Sequence, residues 1–180
     1  MDLQKLFQTQ KVLRDRIDYN EPDRFYKLIL ALIVETGECA NEQRSWKFWS
    51  QDQTPRTHKA RAPYVDIEDA DFYDPLLEEY VDKLHFILEI GLELGVETTE
   101  IIHIGNQFRK DSITEQFLDI AKRVIEIWES GELETRRFYW DRLFIAFAEL
   151  GEMLGFTWEE VEQAYFAKNK INHQRQEVGY

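Results

Sequence analysis

Residues 74–94 read DPLLEEYVDKLHFILEIGLEL, and their spacing decides the fold class. Asp74 followed by Pro75 is a helix start. A side chain caps free backbone N–H groups, and a proline sits in the first turn, where its missing N–H is not needed. Leu77, Tyr80, Leu84, Ile87 and Leu88 then recur at three- and four-residue intervals and define one apolar stripe. Glu79, Asp82 and Phe86 share a second strip. A solvated strip has no need of Phe86, so this one is expected to be partly covered. Carboxylates there are costly unless paired or bound to metal.

The same periodicity extends in both directions. Leu3, Leu6, Phe7, Leu13 and Ile17 predict a helix over 2–18. Asn20 and Pro22 mark the start of another, which carries Phe25, Leu28, Ile29, Leu32, Ile33 and Cys39 to about Trp49. Beyond Leu94, a shorter helix is expected near 97–109. Ser112 with Glu115 is a capping-box pattern for a helix ended by Gly131. A further helix spans about 134–154 and stops at Gly155. Thr157 with Glu160 opens the last one, to about Arg175. No stretch alternates as a strand would. The expectation is one all-α domain over 1–180, a bundle of five to seven helices.

Residues 50–74 interrupt the pattern. Gln51, Asp52, Gln53, Pro55, Pro63 and the acidic run Asp66, Glu68, Asp69 and Asp71 read as a long surface loop, either a functional lid or a solvated insertion.

The formal net charge of -13 argues against a general binder of DNA or RNA, whose phosphates need a Lys/Arg surface. One small polyphosphate remains compatible if metal ions offset the repulsion. The single Cys39 excludes an intrachain disulfide framework and cysteine-rich zinc sites, and suits a reducing compartment. No signal-type or membrane-length apolar run is present, so a soluble, cytoplasmic protein is expected.

Two acidic pairs carry the chemistry: Glu35-Thr-Gly-Glu38 and Glu79-Tyr-Val-Asp82. Residues three apart share a helix face, so two adjacent helices can converge four carboxylates on one point. Carboxylate oxygens are hard ligands, suited to Mg²⁺ or Mn²⁺ rather than zinc. Around Glu35 and Glu38, the positions Leu28, Leu32, Thr36 and Cys39 form the apolar stripe, with Glu42 on the acidic flank. A third pair, Glu149-Leu-Gly-Glu152, has the same spacing and the same glycine. Spacing alone does not rank the three.

A resemblance does. LALIVETGECANEQRSWKFWS (30–50) and EEYVDKLHFILEIGLELG (78–95) resemble the two metal helices of the dimeric dUTPases. FTWEEVEQAYFAKNKINHQRQEVGY (156–180) resembles their C-terminal signature, K-x-x-x-N-x-x-R followed by Gly-Tyr, and LQKLFQTQKVL (3–13) their N-terminal helix. The resemblance implies an all-α nucleotide pyrophosphatase fold and hydrolysis of dUTP, and of dUDP, to dUMP. It implies Mg²⁺ held by Glu35, Glu38, Glu79 and Asp82, with Glu35 or Glu38 also orienting or deprotonating the attacking water. No metal role falls to Glu149 and Glu152.

The tail then acquires a chemical reading. Lys168, Asn172 and Arg175 lie on one helical face, with Lys170 and His173 nearby, and would bind phosphate, while Tyr180 closes over the nucleotide. The alternative is a set of last-turn cations favoured by the helix dipole. Gln10 matches the glutamine that faces uracil in the family, whereas Arg14 departs from the usual Asp or Asn. Trp46 or Trp49 would stack on base or sugar, or belong to the core. His85 is a wall of the nucleoside pocket or a structural residue. The family is homodimeric, and residues 114–128 with the Phe138–Phe147 helix are the expected interface elements. No phosphate-cradling G-x-x-x-x-G-K-[ST] loop is present, and Cys39 reads as buried rather than nucleophilic. Two rival readings are a related pyrophosphatase acting on dCTP or a modified triphosphate, and a helical interaction protein without enzymatic activity.

Overall fold

The computed structural model describes residues 2–62, 66, 69–96 and 106–179. Among them are six helices: α1 (Leu3–Ile17), α2 (Arg24–Gln43), α3 (Pro75–Glu93), α4 (Ile113–Glu129), α5 (Leu133–Leu154) and α6 (Trp158–Glu177). Capping sets the starts of α3, α4 and α6 as their sequences predict. Asp74 accepts from the Leu77 N–H at 2.9 Å, Ser112 from the Glu115 N–H at 3.2 Å, and Thr157 with Glu160 forms the full reciprocal box.

Three boundaries differ from expectation. Asn20 does not cap α2, because its amide donates to Asp18 at 2.7 Å; the helix begins instead after Asp23. At its other end α2 stops at Gln43 rather than near Trp49. Arg44 turns left-handed (φ 70°), the Trp46 indole donates to the Ala40 carbonyl at 2.8 Å, and the Gln43 side chain accepts from the Ser45 N–H at 3.1 Å. Those bonds use groups that a continuing helix would need. The expected helix over 97–109 falls for the most part outside the described residues, and 106–109 is not helical.

The 50–74 stretch contains one local pairing. β1 (Lys59–Ala60) runs antiparallel to β2 (Phe72–Tyr73), with Lys59 opposite Tyr73 and Ala60 opposite Phe72. His58 stacks on Phe72 at 4.3 Å and Arg61 covers Tyr73 at 3.9 Å. Two-residue strands are too short to show as alternation.

α3 is the central helix, packed by α1, α2, α5 and α6. It is buried well beyond the expected stripe: Leu76, Val81, Lys83, His85, Glu89 and Ile90 join Tyr80, Leu84, Ile87 and Leu88 inside. Trp140 of α5 is fully buried and donates to the Ile87 carbonyl at 2.8 Å. α4 lies along α5. Their facing apolar residues, with Phe117, Ile120, Val124, Phe144 and Phe147, pack inside this chain, while Leu118, Trp128 and Phe138 of the same two helices stay exposed. Among the described residues no helix is long and apolar enough to cross a membrane.

The glycines of the two E-x-G-E segments face opposite circumstances. A Cβ on Gly151 would lie 2.4 Å from the Tyr80 hydroxyl, which is fully buried and donates to the Phe147 carbonyl at 2.9 Å. Nothing lies within 4 Å of one on Gly37. Gly151→Ala is expected to lower unfolding stability by about 1–3 kcal/mol through overpacking. Gly37→Ala is expected to be neutral or to add up to about 1 kcal/mol of helix propensity. Urea denaturation of the two variants checks both signs.

Candidate functional site

α2 and α3 run side by side, and their facing acidic positions meet. Ligand oxygens of Glu35, Glu79 and Asp82 all lie within 4.8 Å of one another. The three are half-buried, and Glu35 and Asp82 line a cavity of about 400 Å³. Glu38 is exposed at the rim, outside this convergence but close enough to act on it electrostatically. Burial first, then the neighbouring carboxylates, pushes Glu35 and Glu79 each up to about 7. Burial also raises Asp82, against the opposing pull of Lys168.

The donor set fits a hard divalent cation. One oxygen of Glu35 is buried with no hydrogen-bond partner, an orphaned acceptor that a cation would satisfy. Three mutually repelling carboxylates in one place are otherwise unfavourable.

Cations surround the cluster. Lys168 of α6 reaches Asp82 at 2.6 Å and Glu78 at 3.0 Å. Beneath it, Lys83 is fully buried against the rings of Phe117 (4.8 Å) and Tyr80 (5.2 Å). Burial lowers its pKa, while Cys39, Glu35 and Glu79 favour its charge. Cys39 is itself fully buried and its thiol pKa is raised by that burial, so it makes no nucleophile.

The cavity joins the carboxylates to the other expected site residues. Glu35 and Asp82 line it together with Lys168, Asn172, Arg175, Gln10 and His85, and Leu13, Leu28 and Phe86 supply apolar wall. Gln10 is buried, and both its amide oxygen and its amide nitrogen are engaged. Its Oε1 lies 2.8 Å from His85 Nδ1 and accepts from the Tyr165 hydroxyl at 2.7 Å, and its Nε2 donates to Glu89 at 2.7 Å. Arg14 is turned away to Glu93 at 2.6 Å and does not line the cavity.

Trp46 and Trp49 are not brought to this cavity. They are exposed, pack edge to face at 5.2 Å on each other beyond the end of α2, and form no part of the core. Tyr180 lies outside the described residues. His173 is held by Arg16 at 3.2 Å, apart from the cavity. The third acidic pair proves structural in its contacts. Glu149 is fully buried and accepts the Phe108 N–H at 3.0 Å, while Glu152 faces Arg109 at 3.6 Å.

Arg24 of α2 and Glu89 of α3 line the cavity and pair at 3.0 Å, and neither was singled out in the sequence; nor was Tyr165, which stacks on His85 at 4.3 Å. Glu89, one turn beyond His85 on α3, was the available signal: a carboxylate on a helix so apolar needs a partner.

The raised carboxylates set a pH dependence. An unfolded chain binds fewer protons at Glu35 and Glu79 than the metal-free folded chain does between about pH 4.5 and 7. Their protonation therefore favours the folded state at low pH, and that contribution is lost as pH rises through about 7. In chelator, the melting temperature is expected to fall from pH 6 to pH 8. Added Mg²⁺ is expected to restore it, more at pH 8 than at pH 6. Thermal melts in the two buffers decide this.

Among curated proteins, no relative matches the chain. A family model described as dUTPase matches residues 2–68 and 70–180. Divalent metal use is general in that family, in keeping with the acidic convergence of α2 and α3. The chain belongs to the dUTPase family, and is an enzyme that hydrolyses dUTP.

Proposed function

We propose that dUTP, and dUDP, are hydrolysed to dUMP in the cavity between α1, α2, α3 and α6, with Mg²⁺ held by Glu35, Glu79 and Asp82. The observation that carries this reading is the make-up of that cavity. It has carboxylates with an orphaned oxygen at one end, Lys168 and Arg175 beside them, and an apolar wall holding Gln10 and His85 at the other. That polarity matches a nucleotide, whose phosphates need cations and whose base needs a dry, hydrogen-bonding wall.

When bound, divalent ions supply Lewis acidity and lower the pKa of water. The chain's own residues do the rest. Glu38, at the exposed rim of the cluster, takes the proton of the attacking water. Lys168 and Arg175 neutralise charge that develops on the phosphates, and Asn172 adds a neutral donor. Lys168 exchanges its bond to Asp82 for a phosphate oxygen as the nucleotide arrives. Tyr180 closes the tail over the bound nucleotide. Trp46 and Trp49 take no part in the cavity of their own protomer.

The enzyme works as a cytoplasmic homodimer. Tyr26, Leu30 and Val34 of α2 support this assembly: they recur every four residues along one face and are 58%, 62% and 47% exposed. A second copy would cover such a stripe.

Turnover of each deoxynucleoside triphosphate, with and without Mg²⁺, tests the reading. dUTP is expected to be the preferred substrate, with turnover abolished by chelator. Glu35→Gln and Asp82→Asn are each expected to lower dUTP turnover at least about 100-fold, more than the loss of a group that only supports a metal ligand. Circular dichroism should remain native. Near-normal activity in both variants would exclude the metal assignment.

A further inference from the structure

His85 stands one helical turn beyond Asp82 and is 5% exposed. Its Nε2, on the ring that lines the cavity, has no hydrogen-bond partner. What that nitrogen can do is fixed from behind. Nδ1 lies 2.8 Å from Gln10 Oε1. The Gln10 amide cannot be turned the other way, because its Nε2 sits 2.7 Å from Glu89, a carboxylate paired with Arg24 at 3.0 Å. An ionised carboxylate only accepts, so it must face the amide N–H. Oε1 then faces His85, Nδ1 carries the proton, and Nε2 is left with a bare lone pair. Burial pushes the His85 pKa down to about 3, which keeps the ring neutral. The Tyr165 ring, stacked at 4.3 Å and 24°, holds its plane.

We propose that His85 Nε2 is the group that reads the base, accepting the imide N3–H of uracil, while the unused N–H of Gln10 meets the neighbouring carbonyl. The proposal rests on the placement of the nucleoside in this cavity. Uracil offers a donor at N3 flanked by two acceptors, the complement of an acceptor on His85 beside a donor on Gln10. Cytosine offers a lone pair at N3. It would lose the hydrogen bond and set two acceptors against each other in a buried place, the kind of mismatch that discriminates strongly. Thymine keeps the N3–H and is not rejected by this contact. The relay from Arg24 through Glu89 and Gln10 makes His85 dependent on Gln10. Without an acceptor at Nδ1, the proton is free to move to Nε2, and the reader becomes a donor.

Steady-state kcat/KM for dUTP and dCTP, with Mg²⁺ present, tests this. His85→Phe keeps a flat ring on Tyr165 and removes the lone pair. It is expected to lower kcat/KM for dUTP by about 10–100-fold, the scale of one buried hydrogen bond. dCTP should change little, so the dUTP:dCTP preference collapses by the same factor. Gln10→Leu is expected to shift that preference in the same direction. Equal losses for both nucleotides would mark His85 as merely structural and overturn the proposal. Wild-type enzyme supplies an arm that needs no folded variant. N3-methyl-dUTP should be a poor substrate, while 2′,3′-dideoxy-UTP is not impaired through this contact. The reverse ranking would give His85 to the sugar hydroxyl and overturn it also. Ile17→Trp, at an exposed position on the cavity wall, separates the underlying placement. If Ile17→Trp leaves the KM for dUTP unchanged, the nucleoside does not lie here. If it raises KM while His85→Phe leaves the dUTP:dCTP ratio intact, the placement stands and the role of His85 falls.

Discussion

α3 is covered on nearly every side, and it is not an apolar helix. Lys83, His85 and Glu89 are buried, and Glu79 and Asp82 half-buried, against the neighbouring helices. Each buried polar group needs a partner or carries a penalty of a few kcal/mol. The surrounding helices are placed to meet that demand. α1 brings Gln10 to His85 and Glu89, α2 brings Arg24 to Glu89, and α6 brings Lys168 to Asp82. Among the described residues a few buried side-chain atoms have no hydrogen bond, and three of them, on Glu35, His85 and Lys83, lie in or directly beneath the site. The orphaned acceptors on Glu35 and His85 are open to a cation and to a donor respectively.

The order of these groups along α3 has a length. Glu79, Asp82, His85 and Glu89 climb one strip of the helix, and at 1.5 Å per residue the span is about 15 Å. In the proposed reading a nucleoside triphosphate, of comparable length, lies along the helix with its phosphates at the Glu79 end and its base toward Glu89. Charge follows the same gradient. The Glu79 end has three carboxylates and an excess of negative charge that calls for divalent ions. At the other end, Glu89 and Glu93 are matched by Arg24 and Arg14, at 3.0 and 2.6 Å, leaving no net demand for metal. Arg14 therefore serves as a counter-charge to Glu93. The departure that it represents in the sequence changes an ion pair outside the cavity and leaves the cavity wall to Gln10 and His85.

The helices were legible because period and capping are local. Asp74-Pro75 and the Thr157–Glu160 box stand where their chemistry predicts. The end of α2 was not, since it depends on Arg44 adopting a left-handed turn and on Trp46 reaching back to Ala40. The meeting of Glu35 with Glu79 and Asp82 was predicted by helix faces together with family likeness, and the structure brings three of the four carboxylates together while leaving Glu38 at the rim. The His85 relay was beyond reach. It needs α1, α2 and α6 in place at once, and no periodicity within one helix carries that information. Trp46 and Trp49 show the converse: aromatic character signals burial or stacking, yet here the two rings pack edge to face on each other, exposed and away from the cavity.

The two E-x-G-E segments show what separates a chemical site from a structural one. Their spacing is identical. At Glu149 both carboxylate oxygens converge on the Phe108 N–H, at 3.0 and 3.1 Å, and Gly151 is closed off by the Tyr80 hydroxyl. The carboxylate is satisfied by a backbone donor inside the core. At Glu35, among the described residues, no backbone N–H arrives, one oxygen is left bare, other carboxylates crowd in, and nothing lies within 4 Å of a Cβ on Gly37. The same four-residue pattern therefore yields an anchor where its lone pairs are taken. Where they are withheld, it yields a site that only an incoming cation completes.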